Sequence, residues 1–268
     1  MHGTMRRLEE KVAFITGAGA GIAKAGAIAF AKEGARVALI EIDAALGRNV
    51  EREVRELGGN AVFIETDVTQ DGSVKRAIDT TIDRFGRLDI LFNCAGGSVP
   101  EDVPVHEMDL DVWRRTIALN LLHPFLCCKH GIPHMMNGGG GSIINFSSHI
   151  GLMGSMRPAY AASKGGVMAF TKTLAAQYAQ HGIRANAIAP GSVRSERYIR
   201  HFENNPAPGA ASAERALVQK LYPFSVGDPG DIAAIAVFLA SDESRMITGT
   251  TIAADGGRSS YLKVADRS

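Results

Sequence analysis

The sequence predicts an α/β fold: a doubly wound, seven-stranded parallel sheet in a single domain, with helices on both faces. Three observations carry that expectation. Short β-branched runs alternate with helix-period segments of a dozen or more residues along almost the whole chain. Glycine is abundant, at 30 residues, and falls where strands would turn into helices. The length, 268 residues, suits one large α/β domain burying about 70–75% of the surface its unfolded form exposes.

Taken in order, the strand candidates are "KVAFIT" at 11–16, "RVALIE" at 36–41, "AVFIET" at 61–66 and "LDILFN" at 88–93. "SIINFS" at 142–147, "RANAIA" at 184–189 and "TTIAAD" at 250–255 complete the seven. Between them lie helical segments at 20–33, 44–57, 71–85, 109–136, 159–180 and 229–240. Asp71, Asp109 and Asp228 stand where N-caps are expected, and Pro229 follows the last at a first helical position. Pro124 falls inside the fourth segment and predicts a kink there. "NGGGGS" at 137–142 is followed at once by a strand, so it reads as a loose helix-to-strand loop. Residues 194–227 break the alternation with Asn204, Asn205, Pro206, Pro208 and Gly209, then a short helical stretch, "SAERALVQKL". An irregular insert of that length in a compact domain predicts a lid over a binding site. The domain is expected over 9–258, with 1–8 and 259–268 as terminal extensions.

Charge is balanced, 29 basic against 28 acidic residues, which argues against electrostatic capture of nucleic acid or an anionic membrane. No apolar run approaches the ~20 residues that span a bilayer. Arg6 and Arg7 have no apolar stretch behind them and make no signal peptide; Met5 is a candidate second start. Cys94, Cys127 and Cys128 lack metal-ligand spacing and read as thiols of a reducing compartment. His106-Glu107 lacks a second histidine, so no metal site is expected. A cytoplasmic protein follows.

The first strand runs into "TGAGAGI", residues 16–22. Gly17, Gly19 and Gly21 let the backbone turn sharply and approach a pyrophosphate at a helix N-terminus. No Gly-Lys-Ser/Thr follows, so this is not a P-loop. Glu41 comes 20 residues after Gly21, at the end of the second strand, where a carboxylate accepts from adenosine ribose hydroxyls. A carboxylate there repels a 2′-phosphate, and Ala20 and Ile42 offer no cation to offset it. NAD is therefore expected over NADP. The plainer reading of Glu41 is a solvated strand-end charge.

"AYAASKGGVMAF", residues 159–170, sets Tyr160 and Lys164 one helical turn apart, hence on one face. An ammonium beside a phenol should lower its pKa toward neutrality and make it a general acid/base. The pair alone is weak evidence; Tyr160 packing and Lys164 solvated is the bland alternative.

With these motifs in sequence order, the chain resembles the short-chain dehydrogenase/reductase family over about residues 9–258. "TGAGAGI" is similar to that family's coenzyme turn, including Ile22. "TDV" at 66–68 resembles its adenine contact, through Asp67 and Val68. "NCAG" at 93–96, with Asn93, Ala95 and Gly96, matches its Asn-Asn-Ala-Gly segment except for Cys94. Asn120 sits where the family keeps a helix-bending asparagine. "SIINFSS" leads to its catalytic serine, and "YAASK" is its Tyr-x-x-x-Lys. "APGSV" at 189–193 resembles its nicotinamide-side turn, through Pro190, Gly191 and Val193, with Ser195 where Thr is common. "SRMITGTTIAADGG" at 244–257 is similar to its C-terminal strand and turn. Ala23 departs from the usual glycine at the first helix start. The serine is open by one residue: spacing from Tyr160 selects Ser147, while strand register selects Ser148, which is preferred because a one-residue slip flips the side chain to the other face.

The resemblance implies a Rossmann-like fold and hydride exchange between NAD and a small-molecule secondary alcohol. Asn120, Ser148, Tyr160 and Lys164 would be catalytic, with Lys164 also holding the nicotinamide ribose and Asn120 exposing a carbonyl to a relay water. It also implies a homotetramer through the faces of helices 109–136 and 159–180 and the last strand. Two alternatives stay open: an NADPH-dependent carbonyl or 3-oxoacyl reductase, and a catalytically silent dinucleotide-binding regulator. Substrate walls are expected from Gly97–Glu107, His149–Arg157 and the 194–227 lid. Arg194, Arg197, Arg200 and His201 make the lid's start basic, which fits either an acidic substrate or, as favoured, a solvated amphipathic turn. Trp113, at helical spacing from Ile117, is expected to pack.

Overall fold

The first long strand, β1 (Val12–Thr16), is buried at every position, because helices cover both of its faces. The computed structural model describes residues 6–204, 219 and 224–260. The elements continue as α1 (Gly21–Lys32), β2 (Arg36–Glu41), α2 (Ala44–Glu56), β3 (Asn60–Glu65), α3 (Asp71–Phe85) and β4 (Ile90–Asn93). Then come α4 (Leu110–Ile117), α5 (His123–Asn137), β5 (Gly141–Phe146), α6 (Pro158–Tyr178) and β6 (Ile183–Pro190). The chain ends through β7 (Ser192–Val193), α7 (Glu196–Tyr198), β8 (Val226–Gly227), α8 (Pro229–Ala240) and β9 (Thr251–Ala254).

The seven long strands form one sheet in the order β3-β2-β1-β4-β5-β6-β9, every neighbouring pair parallel. This is the predicted doubly wound, Rossmann-like sheet. A small parallel pair, β7 with β8, was not anticipated. Alternation along the strands sorts side chains between two cores. Ala13 and Ile15 face Phe30 of α1 and Val237 of α8. Val12 and Phe14 face the other layer, with Ile78 of α3, Leu126 of α5 and Leu174 of α6. The strand order reverses between β1 and β4, and a crevice opens beyond the carboxyl ends of both, where open α/β sheets bind ligands.

Several local expectations change. The 109–136 segment is interrupted by a π-turn at Ala118–Leu122, with Asn120 at its centre. Pro124 follows that turn at once, and Leu122 and His123 before it keep helical dihedrals, so the proline lies inside one continuous helical run and the irregularity expected there takes the form of the π-turn. Asp71 is the first residue of α3 and does not cap it; its Oδ1 accepts from Lys129 Nζ and lies 2.8 Å from His130 Nε2, tying α3 to α5. Asp109 does cap α4, accepting from the Asp111 amide at 2.7 Å, and Asp228 forms a capping box with Asp231. Leu8, assigned by sequence to a terminal extension, is wholly buried in the core. Trp113 does not pack away as expected, because it stands on the outer side of α4, 37% exposed. Of the lid, residues 205–218 and 220–223, including Pro206, Pro208 and nearly all of "SAERALVQKL", lie outside the described residues. Among the described residues no helix is long and apolar enough to cross a membrane, and no three His, Cys, Asp or Glu side chains cluster as metal ligands would.

Candidate active site

The crevice has two hollows, of about 880 Å³ and about 660 Å³, which share Ile22, Cys94, Gly96, Ser195 and Arg197 and so open into one another. The larger is built on the β1, β2 and β3 ends. Gly17, Ala20, Gly21, Ile22, Glu41 and Ile42 line it, with Asp67, Val68, Ala95 and Gly96 opposite. The smaller holds Ser147, Ser148, Tyr160, Lys164, Pro190, Gly191 and Val193. Ser195 touches both. Three of the residues singled out from sequence line neither: Gly19, Asn93 and Asn120. Each acts one step back.

Gly19 donates its backbone N–H to Glu41 Oε2 at 3.0 Å, and a Cβ at Gly19 would stand 2.8 Å from that same oxygen. The glycine is therefore what lets the carboxylate lie under the turn. Glu41 Oε1 accepts from Ile42 and Asp43 amides at 2.8 and 3.1 Å. Three of roughly four acceptor sites are filled, which fixes the carboxylate and leaves room for a ribose hydroxyl. The bland reading of Glu41 as a solvated charge does not describe it. Asp67 Oδ1 is held by the Thr69 amide and hydroxyl, at 2.9 and 2.6 Å. At the N-terminus of α1 the Gly21 amide donates to Glu196 Oε2 of the lid at 3.0 Å, so an anion already sits where a pyrophosphate is expected.

In the smaller hollow the two serines divide. Ser147 Oγ donates to the Lys164 carbonyl at 2.8 Å, whereas Ser148 hydrogen-bonds the Tyr160 phenol. Lys164 Nζ donates to the Phe146 carbonyl at 2.8 Å and lies 5.6 Å from the centre of the Tyr160 ring. Burial lowers the Lys164 pKa to about 8. The expected depression of Tyr160 is not seen. Burial raises its phenol above the ordinary value, while the Ser148 hydrogen bond and the charges of Arg197 and Arg157 pull the other way. The ammonium stands over the ring face and bonds a backbone carbonyl, so the helical spacing brings the pair together without aiming one at the other's oxygen.

Asn120 is buried. Its Oδ1 accepts from Gly97 N at 2.9 Å, and its Nδ2 donates to Gly97 O and Thr116 O at 3.0 and 2.9 Å. It closes the π-turn and pins the strand-end loop. Gly96, with φ 154°, is the contact point: a Cβ there would lie 2.6 Å from Asn120 Oδ1 and 3.2 Å from Lys164 Nζ. Asn93 turns into the sheet, donating to Asn145 Oδ1 at 2.9 Å; Asn145 in turn donates to Thr171 Oγ1 at 3.0 Å.

Two supports escaped the sequence reading. Thr16 Oγ1 accepts from the Cys94 and Ala95 amides at 3.0 and 3.1 Å and lies 2.9 Å from His123 Nε2. His123 Nδ1 lies 3.1 Å from the Leu119 carbonyl, which can only accept, so Nδ1 carries the proton and Nε2 takes the threonine's. The imidazole is buried and neutral, its pKa lowered by burial to about 3. Asp102, also buried, accepts from the Ala159 and Tyr160 amides at 3.1 and 2.8 Å, holding the N-terminus of α6 and with it the phenol. Asp102 lies 56 positions before α6, beyond any capping pattern readable locally; a lone Thr and His on buried faces likewise give no signal.

Comparisons with known proteins identify the family. A family model described as enoyl-(acyl carrier protein) reductase matches residues 17–259. An uncharacterized oxidoreductase of Bacillus subtilis, YxbG, is 40% identical over 259 residues, covering 96% of this chain and 94% of that protein. The chain belongs to the short-chain dehydrogenase/reductase family. Among solved structures, a chain described as a short-chain dehydrogenase/reductase from Burkholderia xenovorans superposes with a TM-score of 0.89 at 35% identity, over 96% of this chain and 99% of that one. A 7α-hydroxysteroid dehydrogenase, complexed with NADH and 7-oxo glycochenodeoxycholic acid, matches with a TM-score of 0.84 at 32% identity, over 96% and 98% of the two chains. Like other members, this short-chain dehydrogenase/reductase is an oxidoreductase that takes a nicotinamide dinucleotide and a small-molecule substrate.

Proposed function

We propose that this enzyme interconverts a secondary alcohol, such as a polyol, diol, sugar or hydroxysteroid-like compound, and its ketone, with NAD in preference to NADP. The observation that carries the reading is the continuity of the crevice: Ser148, Tyr160 and Lys164 line one hollow, and Glu41 closes the far end of the hollow it opens into. The nicotinamide supplies or accepts the hydride when bound. The chain's own groups handle the rest. The Glu41 carboxylate accepts from the adenosine ribose and disfavours a 2′-phosphate. The turn Gly17–Ile22 and the Gly21 amide take the pyrophosphate, with Asp67 and Val68 at the adenine side. Ala95, Gly96, Pro190, Gly191, Val193 and Ser195 flank the nicotinamide side, Gly19 and Asn93 supporting from behind.

Ser148 donates to the substrate oxygen, and Tyr160 moves its proton. A phenol raised by burial is protonated at neutral pH, so it is ready to donate to a ketone; as a base for alcohol oxidation it gains population as pH rises. Oxidation should therefore accelerate from about pH 6 to 9, while reduction stays nearly flat, because the phenol remains protonated over that range. Lys164 holds the ribose hydroxyls, and Asn120 fixes the loop against which Lys164 rests. Leu110 and Trp113 on α4, Leu122 in the π-turn and Phe125 on α5 are exposed and support assembly into a homotetramer through this segment, which light scattering can check. The free thiols Cys94, Cys127 and Cys128 fit a cytoplasmic setting.

Titration with NAD⁺ and NADP⁺, followed by alcohol oxidation read at the reduced-nicotinamide absorbance, tests the reading. Tyr160→Phe should lower turnover by about 10²–10⁴-fold with NADH affinity kept within a few-fold. Near-normal turnover in that variant removes the assignment, and tighter binding of NADP⁺ than NAD⁺ favours the reductase alternative.

A further inference from the structure

We propose that Arg157 and Arg197 form a clamp for an anionic end group on the substrate, so that the substrate is an amphipathic hydroxy or oxo acid. The inference rests on the active-site reading above and narrows it.

Every charged side chain described along the substrate hollow is basic: Arg157, Lys164 and Arg197, with His149 the other ionisable imidazole; no Asp or Glu lines it among the described residues. Lys164 is held by the Phe146 carbonyl, and His149 Nδ1 lies 3.1 Å from the Pro190 carbonyl. That leaves the two arginines. They arrive from separate elements, Arg157 from the residue before α6 and Arg197 from α7 of the lid, and converge on one residue. Arg157 Nη1 donates to Ser98 Oγ, and Arg197 Nη2 donates to Ser98 O and Oγ. Among the described residues neither has a carboxylate partner. Arg194, three positions away, does: it is bidentate to Glu203 at 2.7 and 2.9 Å. The basic start of the lid thus divides into an arginine paired with a carboxylate and one that lines the hollow, open to solvent, with no carboxylate partner among the described residues.

Two guanidiniums brought to the same serine repel one another, and an oxyanion between them removes the repulsion and gains charge-assisted hydrogen bonds. Both also stand close enough to act on the Tyr160 phenol, so an anion held by them shares a hollow with the reacting oxygen. Val99, Pro100, Ile150 and Met156 add apolar lining to the same hollow. An acid with an apolar body fits all of these; a neutral polyol leaves the arginines facing only water and Ser98.

The test uses the full-length protein with NADH bound and two probes of equal size, octanoate and octanamide, measured by calorimetry. Octanoate should bind about ten-fold or more tighter than octanamide. Arg157→Gln and Arg197→Gln should each erode that preference, the double variant abolish it, and Arg157→Lys keep part of it. Equal binding of the two probes, or a preference that survives in the double variant, overturns the clamp. So does an Arg197→Gln variant that loses more affinity for NAD⁺ than for octanoate, since Arg197 would then serve the cofactor. A parallel assay follows oxidation of 7-hydroxyoctanoate and its methyl ester. Failure of both to turn over counts against the proposed activity, while the binding preference and its loss in the variants still support the clamp. Turnover of both at equal kcat/KM leaves the activity standing and overturns the clamp.

Discussion

The two halves of the crevice differ in how their charges are answered. In the cofactor half every carboxylate is satisfied by backbone or hydroxyl donors: Glu41 by three amides, Asp67 by Thr69, Glu196 by the Gly21 amide. In the substrate half the charges are cationic, and two of them meet, among the described residues, a serine and no carboxylate. The first half is a preformed mould whose anions are held by its own donors, although Arg114, Arg115 and Arg197 also line it. The second is a field awaiting an opposite charge.

The largest expected effect tests how firmly the mould is held from below. His123, buried and neutral, holds Thr16, and Thr16 holds the Cys94 and Ala95 amides. The folded pKa of about 3 lies below the unfolded value near 6.5. The unfolded chain therefore binds more protons between those values, and the contribution of His123 is complete above pH 6.5 and is lost as pH falls. Between pH 6.5 and 5, where most carboxylates stay ionised, wild type should lose about 1.5–2 kcal/mol more stability than His123→Asn. Denaturant midpoints at the two pH values measure this. The cavity and lost bond in the variant lower its stability at every pH and drop out of the difference. Equal pH slopes would mean that the imidazole is not held neutral and that the cofactor half lacks this anchor.

A second expected effect, of comparable size, concerns Glu41 alone. Glu41→Gln keeps an acceptor for the Gly19 amide but removes the charge that a 2′-phosphate would meet. Coulomb energies of about 1–4 kcal/mol at 4 Å, between water-like and protein-surface screening, predict that the NAD⁺ over NADP⁺ preference falls by about 10–100-fold, mostly through tighter NADP⁺. Dissociation constants for the two dinucleotides decide it. A wild-type protein indifferent to the 2′-phosphate would break the contrast between the halves, because Glu41 would then be only a structural cap on the glycine turn.

The contrast also explains what could be read from residues alone. The parallel sheet and the glycine turn are written in local patterns: β-branched runs, a strand-end carboxylate at fixed separation from Gly21, a Tyr and Lys one turn apart. Local patterns find residues that are neighbours in sequence or repeat at a known period. They do not find Asp102, whose partners are the amides of Ala159 and Tyr160, or His123, whose partner Thr16 is 107 positions away. Nor do they say where a charge is aimed. Lys164 was legible as a neighbour of Tyr160, but its bond to the Phe146 carbonyl, and the burial that raises the phenol, depend on how β5 packs beside α6. The basic start of the lid read as a single run, whereas the fold pairs Arg194 with Glu203 and brings Arg197 to Ser98 along the hollow.

The smallest expected effect lies where the two halves join. Glu196 belongs to the lid, yet its carboxylate occupies the Gly21 amide at the N-terminus of α1. An incoming pyrophosphate must displace it, and the side chain is exposed, so the displacement releases a contact worth roughly 0.3–1 kcal/mol. Glu196→Gln weakens that competitor without emptying the helix end. NAD⁺ affinity should rise about 2–5-fold, with the octanoate preference of the substrate half unchanged, since the substituted group faces the other hollow. Weaker NAD⁺ binding would mean that the carboxylate helps hold the bound dinucleotide, and a shift in octanoate binding would mean that the lid couples the halves. Either result would turn two separately charged compartments into one linked site, with Ser195 and Arg197, which line both hollows, as the link.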